Sequence, residues 1–141
     1  PNRIEEFRAG VERAIEYADK LGCKQCNALA GIQPFGSSDQ EIHHTFVENL
    51  SYAATRLKEA GIRLLIEAIN TRDIPGFFLK RSDQAFAILD EIGSDNLLFQ
   101  YDIYHMQRNE GNLIANMEKC WDEIAYIQIG DNPGRKEPGT G

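Results

Sequence analysis

A glutamate in the middle of an apolar run is the first residue of this sequence that demands a chemical explanation. Glu67 sits in RLLIEAI, residues 63–69. A carboxylate buried there is strongly disfavoured unless a cation, a metal ion or a proton compensates it. Asp102 follows another apolar run, in QYDIYHMQ, three residues before His105. Gln128 stands between Ile127 and Ile129, so in a strand it points to the opposite face from both. Each has a plainer reading: a structural Arg or Lys partner for Glu67, a cap on the next turn for Asp102, a packed amide for Gln128. Taken together, three oxygen-bearing side chains at the ends of successive apolar segments form half of a hard-cation site, suited to magnesium or manganese.

The other reactive candidates carry less. Cys23 and Cys26 are spaced C-x-x-C, a spacing shared by redox and zinc sites. The pair follows a helix and Gly22 instead of opening a helix whose N-terminus would stabilise a thiolate, and no second Cys/His pair sits at zinc spacing. Buried or half-buried free thiols in a reducing compartment are therefore expected. His43 and His44 are adjacent on a helix away from the strand ends and receive no role. The sequon Asn49-Leu50-Ser51 falls inside a helix and is a chance match.

The elements that must hold these residues follow from hydrophobic spacing. Ile4, Phe7, Val11, Ala14, Ile15, Ala18 and Leu21 recur at three and four, predicting a helix that stops at Gly22. Residues 24–30 (KQCNALA) are expected to form a short buried strand. After a loop with Gly31, Pro34 and Gly36, Ser38 or Asp39 caps a second helix that runs to Gly61. Residues 63–69 then read as a strand buried on both faces, as in parallel sheets. A loop holding Pro75 and Gly76 leads to Ser82, read as a partial cap for a helix over 83–92. Residues 96–101 form a third strand, 102–109 a loop, 113–121 a helix and 125–129 a fourth strand.

Composition limits the function classes. The chain has 141 residues, 42% of them hydrophobic, with 15 Lys+Arg against 22 Asp+Glu for a net charge of −7, the profile of one globular domain. No apolar run approaches the roughly 18 residues of a membrane span. The acidic balance and the lack of a basic patch argue against a nucleic-acid partner. The N-terminus has neither an initiator Met nor an apolar leader core, so the chain reads as the middle of a longer protein. Strands alternating with helices allow an open doubly wound sheet or part of a (β/α)8 barrel. Neither Gly-rich phosphate-loop pattern is present, whereas polar residues end three successive strands, where a barrel gathers its active site.

The segments LLIEAINTRDIPGF, LLFQYDIYHMQRNEG and IQIGDNPGRKEPGTG strongly resemble hydroxypyruvate isomerases of the xylose-isomerase-like TIM-barrel group, and the resemblance runs the length of the chain. It implies an α/β fold in which residues 1–141 are a single-domain fragment, the central part of a TIM barrel with about four consecutive β/α units, strands four to seven. It further implies Glu67 as both metal ligand and acid/base, Asp102 and Gln128 as further ligands, and Mg2+ or Mn2+ as the cofactor. His105 and Arg135 correspond to the family's substrate-binding histidine and arginine. A fourth ligand and second acid/base, a Glu on strand eight, has no counterpart in these residues. The expected activity interconverts hydroxypyruvate and tartronate semialdehyde through an enediol. The expected setting is cytoplasmic, with a small 2-oxo acid substrate and a compatible homo-oligomer. The rivals are an isomerase or epimerase of a longer 2-oxo acid or keto-sugar, a metal-dependent nuclease and a non-catalytic module.

Overall fold

The structure, a computed structural model, describes residues 3–141. Helix α1 (Ile4–Leu21) ends where Gly22 turns into the left-handed region at φ 68°, its amide reaching back to the carbonyls of Ala18 and Asp19. Strand β1 is Gln25–Asn27. Helix α2 (Asp39–Glu59) opens with a capping box in which the Ser38 hydroxyl accepts from the Glu41 amide and the Glu41 carboxylate accepts from the Ser38 amide. Strand β2 (Arg63–Glu67), helix α3 (Ser82–Ile92) and strand β3 (Leu97–Asp102) follow. Two short helices, α4 (Ile103–Asn109) and α5 (Leu113–Lys119), and a 3-10 turn (Trp121–Glu123) lead to β4 (Ile124–Gln128).

The four strands lie parallel in the order β1-β2-β3-β4 and form half of a TIM barrel. Alternation along each strand divides their side chains between two faces. Leu64, Ile66, Leu97, Phe99 and Tyr101 face outward into one apolar core with Leu50, Ala53, Ala54 and Leu57 of α2 and Ala85, Ile88 and Leu89 of α3. Phe99 is fully buried there, its ring edge-on to Phe86 and Tyr101 at 5.2 and 6.0 Å. Burying a side chain of this size contributes roughly 1.5–3 kcal/mol, so the helix layer clamps the strands from outside. The inner face carries Asn27, Glu67, Gln100, Asp102 and Gln128. It is open along β4, where Tyr126 is exposed.

Five expectations need correction. The strand over 24–30 shrinks to three residues, because KQCNALA lacks the continuous β-branched and Leu-rich character that builds β2. Residues 102–109 are not a loop: Asp102 accepts from the amides of Tyr104 and His105 and starts α4. The next helix stops at Lys119, short of Trp121. Ser82 does not cap α3, whose N-cap is Arg81. Its amide and hydroxyl both donate to the Glu110 carboxylate, at 2.6 and 2.7 Å, so a side chain from beyond α4 satisfies that helix start. Cys23 is exposed, where a buried or half-buried thiol was expected; Cys26 is half-buried and Cys120 buried, and all three are free.

Candidate active site

Parallel register brings the strand ends to one level. Glu67 pairs with Gln100 across β2 and β3, and Asp102 pairs with Gln128 across β3 and β4. The side chains of Glu67, Gln100, Asp102 and Gln128 therefore project from the same inner face at the C-terminal ends of the strands. His105 arrives from the first turn of α4, one helical turn after Asp102.

Glu67 is buried and has neither Arg nor Lys as a hydrogen-bond partner. Instead its Oε2 accepts two amide hydrogens, from Asn27 Nδ2 at 2.7 Å and Gln100 Nε2 at 2.7 Å. Burial pushes its carboxyl up to about 7; Asn27's hydrogen bond opposes the rise and the neighbouring Asp102 adds to it. Asp102 divides its two oxygens between the competing readings of the sequence. Oδ1 caps α4, while Oδ2 faces the cluster, 3.2 Å from Arg135 Nη2 and 3.6 Å from His105 Nε2. The end of the Gln128 side chain lies 3.2 Å from Asp102 Oδ2 and 3.3 Å from Glu67 Oε1. One ligand atom each from Glu67, Asp102 and His105 lies within 4.8 Å of the others.

Asn70 holds the His105 ring from one side. Nδ1 receives the Asn70 backbone amide at 3.3 Å and the Asn70 side-chain amide at 2.7 Å. That Asn70 amide is itself fixed, because its oxygen accepts from the Arg72 and Asp73 amides and its nitrogen also donates to Asp73 Oδ2. Nδ1 is thus an acceptor, so the neutral ring carries its proton on Nε2. Burial lowers the pKa of His105, with Asp102 opposing and Arg135 assisting, which favours that neutral form. Nε2 faces the inner side of the sheet, 3.2 Å from Arg135 Nη2, 3.6 Å from Asp102 Oδ2 and 3.9 Å from Glu67 Oε1, at the point where a substrate oxygen would enter the cluster.

Arg135 sits at φ 52°, an uncommon conformation for a non-glycine residue. The loop around it is tied by Asp131, whose Oδ2 accepts from the amides of Gly139, Thr140 and Gly141 at 2.7–3.1 Å, and by the Asp131–Lys136 bridge. The guanidinium lies 4.9 Å over the Tyr104 ring and leaves about half of its side chain exposed. A cleft of about 540 Å3 beside it is lined by Asp102, Tyr126, Gln128, Gly130, Arg135 and Lys136.

All five residues singled out from the sequence thus meet at one place. The donor set fits a hard cation: an oxygen of each of two carboxylates and one end of the Gln128 amide converge, an arrangement that a divalent ion satisfies when the amide turns its oxygen inward. Sequence reasoning missed Asn27, Gln100, Asn70 and Asp73. Gln100 left a signal, since it stands two residues before Asp102 and must share its face.

A family model described as a xylose isomerase-like TIM barrel matches residues 1–141. Hydroxypyruvate isomerase of Escherichia coli (strain K12) is 55% identical over 141 residues, covering all of this chain and 55% of its own length. A 2-oxo-tetronate isomerase from Cupriavidus necator is 40% identical over 141 residues, again across all of this chain and 54% of its own length. A crystal structure described as an AP endonuclease, family 2, from Brucella melitensis superposes with a TM-score of 0.95 at 36% identity, over 99% of this chain and 54% of that one. The chain spans about half the length of the relatives it matches.

Proposed function

The chain belongs to the xylose isomerase-like TIM barrel family, and on that premise we propose that the full-length protein is an isomerase interconverting hydroxypyruvate and tartronate semialdehyde. In this reading residues 1–141 supply strands four to seven of an eight-stranded barrel as one central fragment. The observation that carries the proposal is the convergence of Glu67, Asp102, Gln128, His105 and Arg135 at one set of strand ends.

The reaction moves a proton between adjacent carbons through an enediol. Glu67, buried and held by the Asn27 and Gln100 amides, takes a proton from the carbon next to the carbonyl in one direction and gives it back to that carbon in the reverse direction. A second carboxylate, which the family places on strand eight, acts from the opposite side. The His105 Nε2–H donates to a substrate oxygen, and Asn70 holds the ring so that this nitrogen keeps its proton. Arg135 pairs with the substrate carboxylate through its fork of donors. A Mg2+ or Mn2+ ion held by Glu67, Asp102 and Gln128 would stabilise charge on the two neighbouring substrate oxygens.

Hydroxypyruvate is preferred over a longer substrate because the E. coli isomerase is the nearer of the two relatives, at 55% against 40% for the 2-oxo-tetronate isomerase. A nuclease, the activity named for the Brucella structure, finds less support: the cluster contains one histidine, and Glu137 accompanies Arg135 and Lys136 along the cleft. A cytoplasmic location with a small 2-oxo acid as partner, and assembly as a homo-oligomer, belong to the same reading; no helix among the described residues is long and apolar enough to cross a membrane. The test is turnover by the full-length protein of hydroxypyruvate against a four-carbon 2-oxo acid. Preference for hydroxypyruvate supports the proposal, and preference for the longer acid transfers the chemistry to the rival substrate.

A further inference from the structure

Gln128 is an unusual choice for a cation ligand because an amide has two ends, and only one of them is useful. Turned one way, its oxygen joins the carboxylate oxygens around an ion. Turned the other way, its nitrogen donates to Asp102 Oδ2 and Glu67 Oε1 and fills the cluster with a hydrogen-bond donor. Something must decide between the two, and the neighbouring strand supplies it. The Glu67 carboxylate only accepts, so Gln100 must turn its nitrogen toward Glu67 Oε2, at 2.7 Å. The same nitrogen has a second hydrogen, and it donates to Gln128 Oε1 at 2.9 Å. Gln100 is buried, and Asn27 holds Glu67 Oε2 from the other side.

We propose that Gln100 is a positioning residue that fixes the polarity of Gln128, turning its amide oxygen toward the cation, while Asn27 holds Glu67 Oε2 independently of it. Polarity passes in one direction, from the acceptor-only carboxylate through the Gln100 donor to the Gln128 oxygen. This rests on the metal-site reading given above. Groups that orient ligands in this way typically change metal affinity by 10- to 100-fold when removed.

The experiment measures Mn2+ binding to the metal-stripped full-length protein by calorimetry, in a cycle of Gln100→Met and Gln128→His. Methionine keeps the length and bulk of Gln100 but donates nothing. A histidine at 128 has no amide to orient. Gln100→Met is expected to weaken Mn2+ binding by at least about tenfold in the wild-type background and by less than about threefold in the Gln128→His background. If Gln100→Met does not fold, Gln100→Asn, too short to reach both partners, carries the same expectation. Equal losses in both backgrounds, or no loss in the wild type, overturn the proposal. Failure of the wild type itself to bind Mn2+ overturns the metal-site reading, and this inference with it, and so is distinct from failure of the Gln100 assignment alone.

Discussion

Replacing Glu67 with Gln is expected to stabilise the metal-free full-length protein above pH 7 while disabling it as a catalyst. Burial raises the Glu67 carboxyl from 4.5 to about 7. Each pKa unit corresponds to about 1.36 kcal/mol, so ionising Glu67 in place disfavours the native state by on the order of 3 kcal/mol. The sign follows from which state ionises first. Below pH 4.5 the group is protonated in both states and the native protein carries no penalty. As pH rises from 4.5 to 7 the unfolded chain loses its proton while the native one keeps it, and stability falls; above about 7 the difference is constant. Glutamine accepts the same hydrogens from Asn27 and Gln100 through its oxygen and never ionises. Urea unfolding with chelator present, at intervals from pH 4.5 to 8.5, should show the variant gaining on the wild type across that window and ending about 1 to 3 kcal/mol more stable. Wild-type and variant curves that run parallel with pH would refute the assignment of a raised pKa to Glu67.

Phe99→Ala is expected to lower stability by about 3–5 kcal/mol in urea unfolding, because the ring is fully buried between two other aromatics. Arg135→Ala should raise KM more than it lowers kcat in steady-state assays, since a carboxylate clamp holds ground and transition states alike. Asp102→Asn keeps the oxygen that caps α4 but weakens the cluster's charge, so metal affinity measured by calorimetry should fall, and added Mn2+ should restore part of the activity.

The parts of the fold set by local burial are legible in the sequence. The RLLIEAI run declares β2 because a strand covered on both faces has no polar period to blur it, and Gly22 and Ser38 mark helix ends through their own backbone chemistry. What stayed hidden depended on distant partners. Glu110 satisfies the start of α3 from 28 residues away, so Ser82 reads as a cap when the sequence is seen locally. Helix α4 is seven residues long and is launched by Asp102 through one oxygen while the other faces the cluster, so ligand and cap were set as alternatives when the residue has an oxygen for each. Among the site residues, Glu67 was conspicuous because charge inside an apolar strand is rare. Gln100 and Asn27 were not, because an amide on a strand gains meaning only when the carboxylate it holds is seen beside it.

The central claim is that Glu67 moves the proton at a metal-dependent site on a small 2-oxo acid. Its most direct test is the initial rate of hydroxypyruvate isomerisation by the full-length protein, wild type and Glu67→Gln, each stripped of metal and then titrated with Mn2+. Activity should appear only with metal in the wild type, and the folded variant at saturating metal should be slower by at least about 10²-fold, the low end for general acid/base catalysis. Wild-type rates in the variant, or full activity in the stripped protein, would contradict it.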